Sequence, residues 1–212
     1  MQTIFFKNKP RLVATGTIAG PKESAGVVGK YVDKTLTDDM FGESTYEKAE
    51  CKMLTYAIQR AIENAGACEK DVDMLISGDL LNQIISASFA ARDFNFPFLG
   101  VYGACSTLAE SIALAAAFIN AGYYQKIVAA TGSHFATAER QYRYPLELGN
   151  TRPPQAQWTV TGAGGVFIAD MGALNSSIAV ECATFGKVVD FGITDVNNMG
   201  AAMAPDIGII GI

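Results

Sequence analysis

One histidine, His134, is all that this 212-residue chain contains, and charge is nearly as scarce: Asp, Glu, Lys and Arg together make up 17% of it. The single histidine excludes any site that needs two, such as a Cys-His-His centre for carbon–carbon bond formation, from being complete within these residues. The low charge implies that much of the surface is covered by a partner or by further sequence. No run of Lys or Arg interrupts a net charge of -5, which argues against a nucleic-acid partner. The four cysteines, Cys51, Cys68, Cys105 and Cys182, show no CxxC or other metal-ligand spacing. With no signal peptide, they read as reduced thiols in a cytosol-like compartment, and no metal or cofactor is expected. No uninterrupted apolar run is long enough to cross a bilayer. The nearest, Leu108 to Ala121, is too short and carries Glu110 and Asn120.

What the chain does have is hydrophobic residues, half of the total, and 21 glycines, enough for one domain of 1–212 with a substantial core. The central stretch runs from Phe98 to Gly122: a buried strand, a tight turn at Gly103, then a helix apolar on nearly every side (Leu108, Ile112, Leu114, Ala115, Phe118, Ile119). Such a helix is normally covered by other elements. Cys105 stands where it begins, facing the unpaired N–H groups and positive end of the helix dipole, which favour a thiolate. The alternative is a cysteine that only packs.

Before that stretch, Met1 to Pro10 reads as an extended lead-in, Arg11 to Ile18 as a strand, and Ala19 to Gly42 as irregular with a helical turn. Ser44 with Glu47 forms a capping box for a helix whose apolar face is Met53, Leu54, Ala57, Ile58, Ala61, Ile62 and Ala65, closed by Gly66. Lys70 to Gly78 turns into a buried strand, and Asp79 starts a second helix reaching about Arg92. After the central helix, Gln125 to Ser133 is a further strand ending at His134. In Phe135 to Tyr144, Arg140 and Arg143 are three apart and share a face if the stretch is helical. Thr159–Asp170 and Ser176–Phe185 read as two strands in a hairpin, with the Gly162-Ala-Gly-Gly165 cluster admitting close backbone approach. The pattern β-α-β-α-β-α-β-β is an α/β fold with parallel crossovers. The carboxyl ends of its strands bring Gly78-Asp79, Tyr102 to Cys105 and Ser133-His134 to one edge.

Two chemistries fit that edge. In acyl transfer, a Cys105 thiolate attacks an activated carbonyl, His134 handles the proton and backbone N–H groups hold the oxyanion. In anion binding, Arg140 and Arg143 grip carboxylates as bidentate forks, Tyr102, Tyr142 and Tyr144 stack on a planar ring, and helix starts near Cys105 and Asp79 add N–H donors. Against these stand plainer readings: His134 as a local cap, and the arginines paired with Glu139, Glu147 or a second subunit.

Ser77-Gly-Asp-Leu-Leu-Asn-Gln83, Tyr102-Gly-Ala-Cys-Ser-Thr107, Ser133-His-Phe-Ala-Thr-Ala-Glu-Arg-Gln-Tyr-Arg-Tyr-Pro145, Thr159-Val-Thr-Gly-Ala-Gly164 and Asp190-Phe-Gly-Ile-Thr-Asp195 carry a resemblance. So do Ala19-Gly-Pro-Lys-Glu23 and Met199-Gly-Ala-Ala-Met-Ala-Pro205. Together they resemble the stage V sporulation protein AD family of spore-forming Firmicutes, from about Arg11 to Pro205. The resemblance implies a thiolase-like fold, of which this chain is the first of two pseudo-symmetric halves. The tail from Ile207 to Ile212 departs from the family and reads as a truncated or altered end. The resemblance also implies a non-catalytic protein that binds dipicolinic acid (pyridine-2,6-dicarboxylate), as the calcium chelate or free, for uptake into the developing spore. Implied with it are membrane-protein partners of the same operon, a homodimer, and a place in the cytoplasm or at the face of the forespore or spore inner membrane. Arg140 and Arg143 would contact carboxylates, Cys105 falls at the thiolase nucleophile position, and Cys105, His134, Asp79 and Asn82 would line or shape the pocket. The competing readings are a condensing enzyme or acyltransferase using Cys105, and a scaffold that only docks membrane partners.

Overall fold

The computed structural model describes residues 2–142, 151, 154, 159–172, 176–187 and 189–195. Arg143, Tyr144 and the tail beyond 195 lie outside the described residues. A six-stranded sheet has the order β3-β2-β7-β6-β4-β5, built from β2 (Arg11–Ala19), β3 (Lys34–Thr35), β4 (Met74–Asp79), β5 (Phe98–Gly100), β6 (Lys126–Ser133) and β7 (Gly162–Ala169). Strand β7 runs antiparallel to both neighbours, β2 and β6; the β2–β3, β4–β5 and β4–β6 pairs are parallel. The parallel crossovers are made by α2 (Tyr46–Asn64), α3 (Ile85–Arg92) and α4 (Thr107–Asn120). Two short pieces complete the first half, β1 (Gln2–Phe5) and α1 (Pro21–Ser24).

The period-two alternation of the central strands assigns one core to each sheet face. Val128 and Ala130 of β6 and Phe167 of β7 face α2 and α3, packing with Leu54, Ile58, Ile62 and Ala90. Ile127, Ala129, Val166 and Ile168 face α4, packing with Ala115 and Ile119. Helix α2 lies close against the sheet because Gly16 and Gly165, paired in register, lie beneath it. A Cβ on Gly16 would fall 2.3 Å from the Ala57 carbonyl oxygen, and one on Gly165 2.9 Å from it. The helix ends as expected, with Gly66 at φ +68°.

Several expectations shift. The cap of α2 is Thr45, whose hydroxyl accepts from the Lys48 N–H at 3.3 Å; Ser44, one residue earlier, takes the Lys48 ammonium instead. Strand β4 runs through Asp79, and α3 begins at Ile85 rather than at Asp79, after a left-handed residue at Ile84 (φ +52°). The expected hairpin does not form. Both edges of β7 are taken by β2 and β6, so β8 (Cys182–Phe185) pairs antiparallel with β1. Helix α4 presents Thr107, Ser111, Ala115 and Ile119 to the sheet, but Leu108, Ile112, Leu114 and Phe118 are only half-buried. Its main contacts are with β4 and β6, on the sheet side, whereas α2 packs on β2, β6, β7 and α3.

Candidate functional site at the carboxyl edge of the sheet

The edge forms as the strand assignment implies. Asp79 is in register with Gly132, and Ser77 with Gly100, so β4, β5 and β6 end together. The chain leaving β5 crosses directly over Gly78, where a Cβ would meet the Val101 carbonyl oxygen at 2.0 Å. Gly78 is therefore the residue that lets the 101–107 turn sit on the edge.

Behind the edge lies a layer of buried polar groups whose hydrogen-bonding capacity is spent on the fold. Asp79 is buried, and its two carboxylate oxygens accept the Leu81 N–H at 2.7 Å and the Ala87 N–H at 2.6 Å. It thus caps α3 from six residues upstream of the helix, and occupies the N–H donors expected to receive an external anion. Burial raises its pKa, while those backbone N–H groups pull the other way.

His134 is wholly buried. Its Nδ1 accepts the Ala136 N–H at 3.1 Å, so Nε2 carries the proton and donates to the Asp39 carbonyl oxygen at 2.9 Å. The ring lies against Tyr46 and Phe135, with centroids 4.9 and 5.0 Å away. Burial lowers its pKa and holds it neutral. Both nitrogens are engaged, one capping α5 (Phe135–Tyr142) and one pinning the 38–41 loop, as the local-cap reading supposes.

In front of this layer stands an exposed rim. Cys105 is exposed in the 3₁₀ turn Ala104–Ser106, whose first residue, Ala104, is left-handed (φ +47°). The turn is tied by Thr107, whose hydroxyl accepts the Gly103 N–H and donates to the Ala104 carbonyl. The Tyr102 hydroxyl donates to the Leu80 carbonyl at 3.4 Å, joining this turn to the 80–84 segment. The Asn82 N–H donates to Gln141 Oε1 at 2.8 Å, joining that segment in turn to the last turn of α5. Arg140, in the same turn of α5, is exposed and forms an ion pair with Glu47 of α2. The structure therefore links Cys105, Tyr102, Asn82 and Arg140 along one rim and pairs Arg140 with Glu47; Glu147 lies outside the described residues.

Three acids here have roles that the sequence reading did not assign: it took Glu47 only as part of a capping box and Glu139 only as a partner of the arginines, and it passed over Glu50. Glu47 holds Arg140, and the guanidinium lowers its pKa against the opposing effect of partial burial. Glu139 is buried and accepts from the Thr159 hydroxyl at 2.7 Å. Glu50 is buried on α2, where it falls on the same stripe as Met53, Leu54 and Ala57. A charged residue on an apolar helical stripe is the signal that could have found it. Glu47 also heads a groove of about 600 Å³ between α2 and α3, walled by Cys51, Ser86 and Phe89. Among the described residues, no cluster of His, Cys, Asp and Glu has the grouping of a metal site, and no helix is long and apolar enough to cross a membrane.

Comparison with known proteins agrees with this architecture. The chain superposes on OleA of Xanthomonas campestris with a TM-score of 0.54, at 11% identity over 78% of this chain and 57% of that one. It superposes on 3-oxoacyl-(acyl carrier protein) synthase III of Xanthomonas oryzae with a TM-score of 0.52, at 15% identity over 79% and 57%. The fold is thiolase-like. Stage V sporulation protein AD of Bacillus subtilis is 43% identical over 204 residues, 96% of this chain and 60% of the relative, so the chain spans three fifths of that relative's length. The family model of stage V sporulation protein AD matches residues 1–208, and the chain belongs to that family of sporulation proteins.

Proposed function

We propose that the protein binds dipicolinic acid without turning it over, as part of dipicolinate uptake into the developing spore. The observation that carries this is the split at the strand ends. The chain's one histidine is locked neutral with both nitrogens used, so the exposed Cys105 draws no imidazole base from this chain. The outward groups of the rim are those suited to holding a planar dianion: the Arg140 guanidinium, the Asn82 amide and the Tyr102 ring. Arg143, one residue beyond α5, would supply a second cation. The Glu47 carboxylate now paired with Arg140 is the group that a ligand carboxylate would displace.

The same proposal includes a second pseudo-symmetric half beyond this chain, a homodimer, membrane-protein partners of the same operon and a place at the forespore or spore inner membrane. Dipicolinate would enter free or as its calcium chelate. Titration calorimetry with dipicolinate, with and without calcium, tests the reading. Saturable heat that weakens at least about tenfold in Arg140→Ala or Arg143→Ala supports it, since each replacement removes a charge-assisted contact. Absence of heat overturns it.

A second reading rests on the exposed Cys105 at the start of α4 in a thiolase-like fold. There, the thiolate would attack a thioester carbonyl, expel the thiol and leave an acyl-Cys105 intermediate. An acyl mass on the Cys105 peptide, absent in Cys105→Ser, would favour it over carriage.

A further inference from the structure

We propose that residues 20–33, between β2 and β3, form a lipid-docking tip that inserts Val27 and Val28 into an anionic membrane surface. Val27, Val28 and Tyr31 are hydrophobic, yet 88%, 65% and 75% exposed. Their exposure is built into the fold. Gly29 lies so close to Ser24 that a Cβ on it would fall 2.0 Å from the Ser24 carbonyl oxygen. The Ser24 hydroxyl donates to the Gly20 carbonyl at 2.6 Å. The backbone N–H groups of Gly26, Gly29, Tyr31 and Val32 donate to the carbonyls of Glu23, Gly26, Val28 and Gly29. A loop closed by its own hydrogen bonds holds the two valines outward, and little is left to order when they are covered. Adjacent aliphatic side chains fixed in water mark a surface that another phase or molecule covers.

The charges of the loop select the surface. Over residues 20–36 the acids are Glu23 and Asp33, and the bases are Lys22, Lys30 and Lys34. The acids are drawn toward the fold. Glu23 Oε2 is buried, and Asp33 accepts the Thr17 N–H and hydroxyl and the Asn64 amide, with the Arg60 guanidinium at 3.5 Å. Lys34 lies over the rings of Phe41 and Tyr56. Lys22 and Lys30 are exposed, and the Lys30 ammonium stands 4.9 Å over the Tyr31 ring. The tip thus presents valines, a tyrosine and ammonium groups, on a chain of net charge -5. In an interfacial anchor of that composition, aliphatic residues enter the acyl boundary, tyrosine sits at headgroup level and lysines meet lipid phosphates. Local positive charge on an acidic protein favours an anionic lipid surface over a second copy of the chain. The tip also rises from the edge that holds the candidate site, because Ala19 is in register with Gly162, and Gly162 with Ser133. Docked by it, the protein turns that edge toward the bilayer. This deepens the membrane placement proposed above and rests on it, and it is independent of the dipicolinate reading.

Co-sedimentation with vesicles tests the inference. The wild-type protein binds vesicles of phosphatidylglycerol mixed with phosphatidylcholine, binds pure phosphatidylcholine at least about tenfold more weakly, and loses affinity as salt rises. Replacing both valines, Val27→Ser with Val28→Ser, weakens binding to the mixed vesicles about tenfold by removing apolar area. Lys30→Gln weakens it about fivefold by removing one charge. Both variants keep the wild-type melting temperature, since the three positions are exposed. Wild-type binding that survives both replacements overturns the inference and leaves the membrane placement standing. A wild-type protein that ignores the mixed vesicles also overturns it, and hands that placement to the membrane-protein partners. Dipicolinate calorimetry on the same samples without vesicles fails separately: absence of heat there sinks the ligand reading and leaves the docking tip in place.

Discussion

The strand-end edge has two layers, and they differ in how their polar groups are used. In the inner layer, Asp79, His134 and Glu50 are buried, and their bonds go to N–H, C=O and hydroxyl groups of the fold. In the outer layer, Cys105, Tyr102, Asn82 and Arg140 reach solvent. Both layers contain residue types that catalysis uses, so residue type does not separate them; burial does. A buried polar group is costly unless satisfied, and once satisfied by the protein it has little left for a ligand. The comparison teaches that a cysteine and a histidine at neighbouring strand ends need not be a dyad.

Substitutions across the two layers sharpen or break this contrast. The largest effect falls on Glu50. Its folded pKa near 8 exceeds that of an unfolded glutamate, so the native state holds a proton that the unfolded state releases between about pH 4.5 and 8. Wild-type stability therefore falls as pH rises through that window. Glu50→Gln should be more stable than wild type by about 3–5 kcal/mol at pH 8 and equal to it at pH 4, read from urea unfolding at each pH. Next comes His134→Ala, which empties the space against Tyr46 and Phe135 and strands the Ala136 N–H; a loss of about 2–4 kcal/mol is expected by the same assay. Because burial depresses the His134 pKa, the neutral ring's contribution is present above the unfolded value of about 6.5 and is lost as pH falls below it. Asp79→Ala uncaps two amides, and should cost about 2 kcal/mol while increasing exchange at Leu81 and Ala87.

In the outer layer the stability effects shrink. The Arg140–Glu47 pair is over a third exposed on both sides, so Arg140→Ala should change unfolding free energy by less than about 1 kcal/mol. Cys105→Ser, at an exposed position, should shift it by no more than about 0.5 kcal/mol. A large loss of stability in either would place that residue in the inner layer.

Much of the frame was legible because it depends on local pattern. The apolar stripe of α2 and the runs of β2, β4 and β6 mark themselves by period, and Gly66 ends its helix where a left-handed residue is needed. The convergence of Asp79, Cys105 and His134 then follows from parallel crossovers. What escaped depends on distance or on near-ties. Ser44 and Thr45 are both capable caps, and only the extended backbone at Thr45 selects between them. Strand β8 has a β propensity that any free edge satisfies, and it finds β1 some 180 residues away rather than its neighbour β7. Asp79 caps a helix it does not belong to, so a helix start was read where the strand still ran. Arg140 and Glu47 meet across 93 residues and two helices, a pairing with no local spacing to signal it. The candidate site was thus legible as a place, while the division between its buried and open layers needed coordinates.

The central claim is that the open layer binds and the buried layer builds. Calorimetric titration of dipicolinate into Arg140→Ala, with a melting curve on the same sample, tests it most directly. The account predicts an affinity at least about tenfold weaker than wild type with the melting temperature held. Wild-type affinity in a variant that melts normally would contradict it.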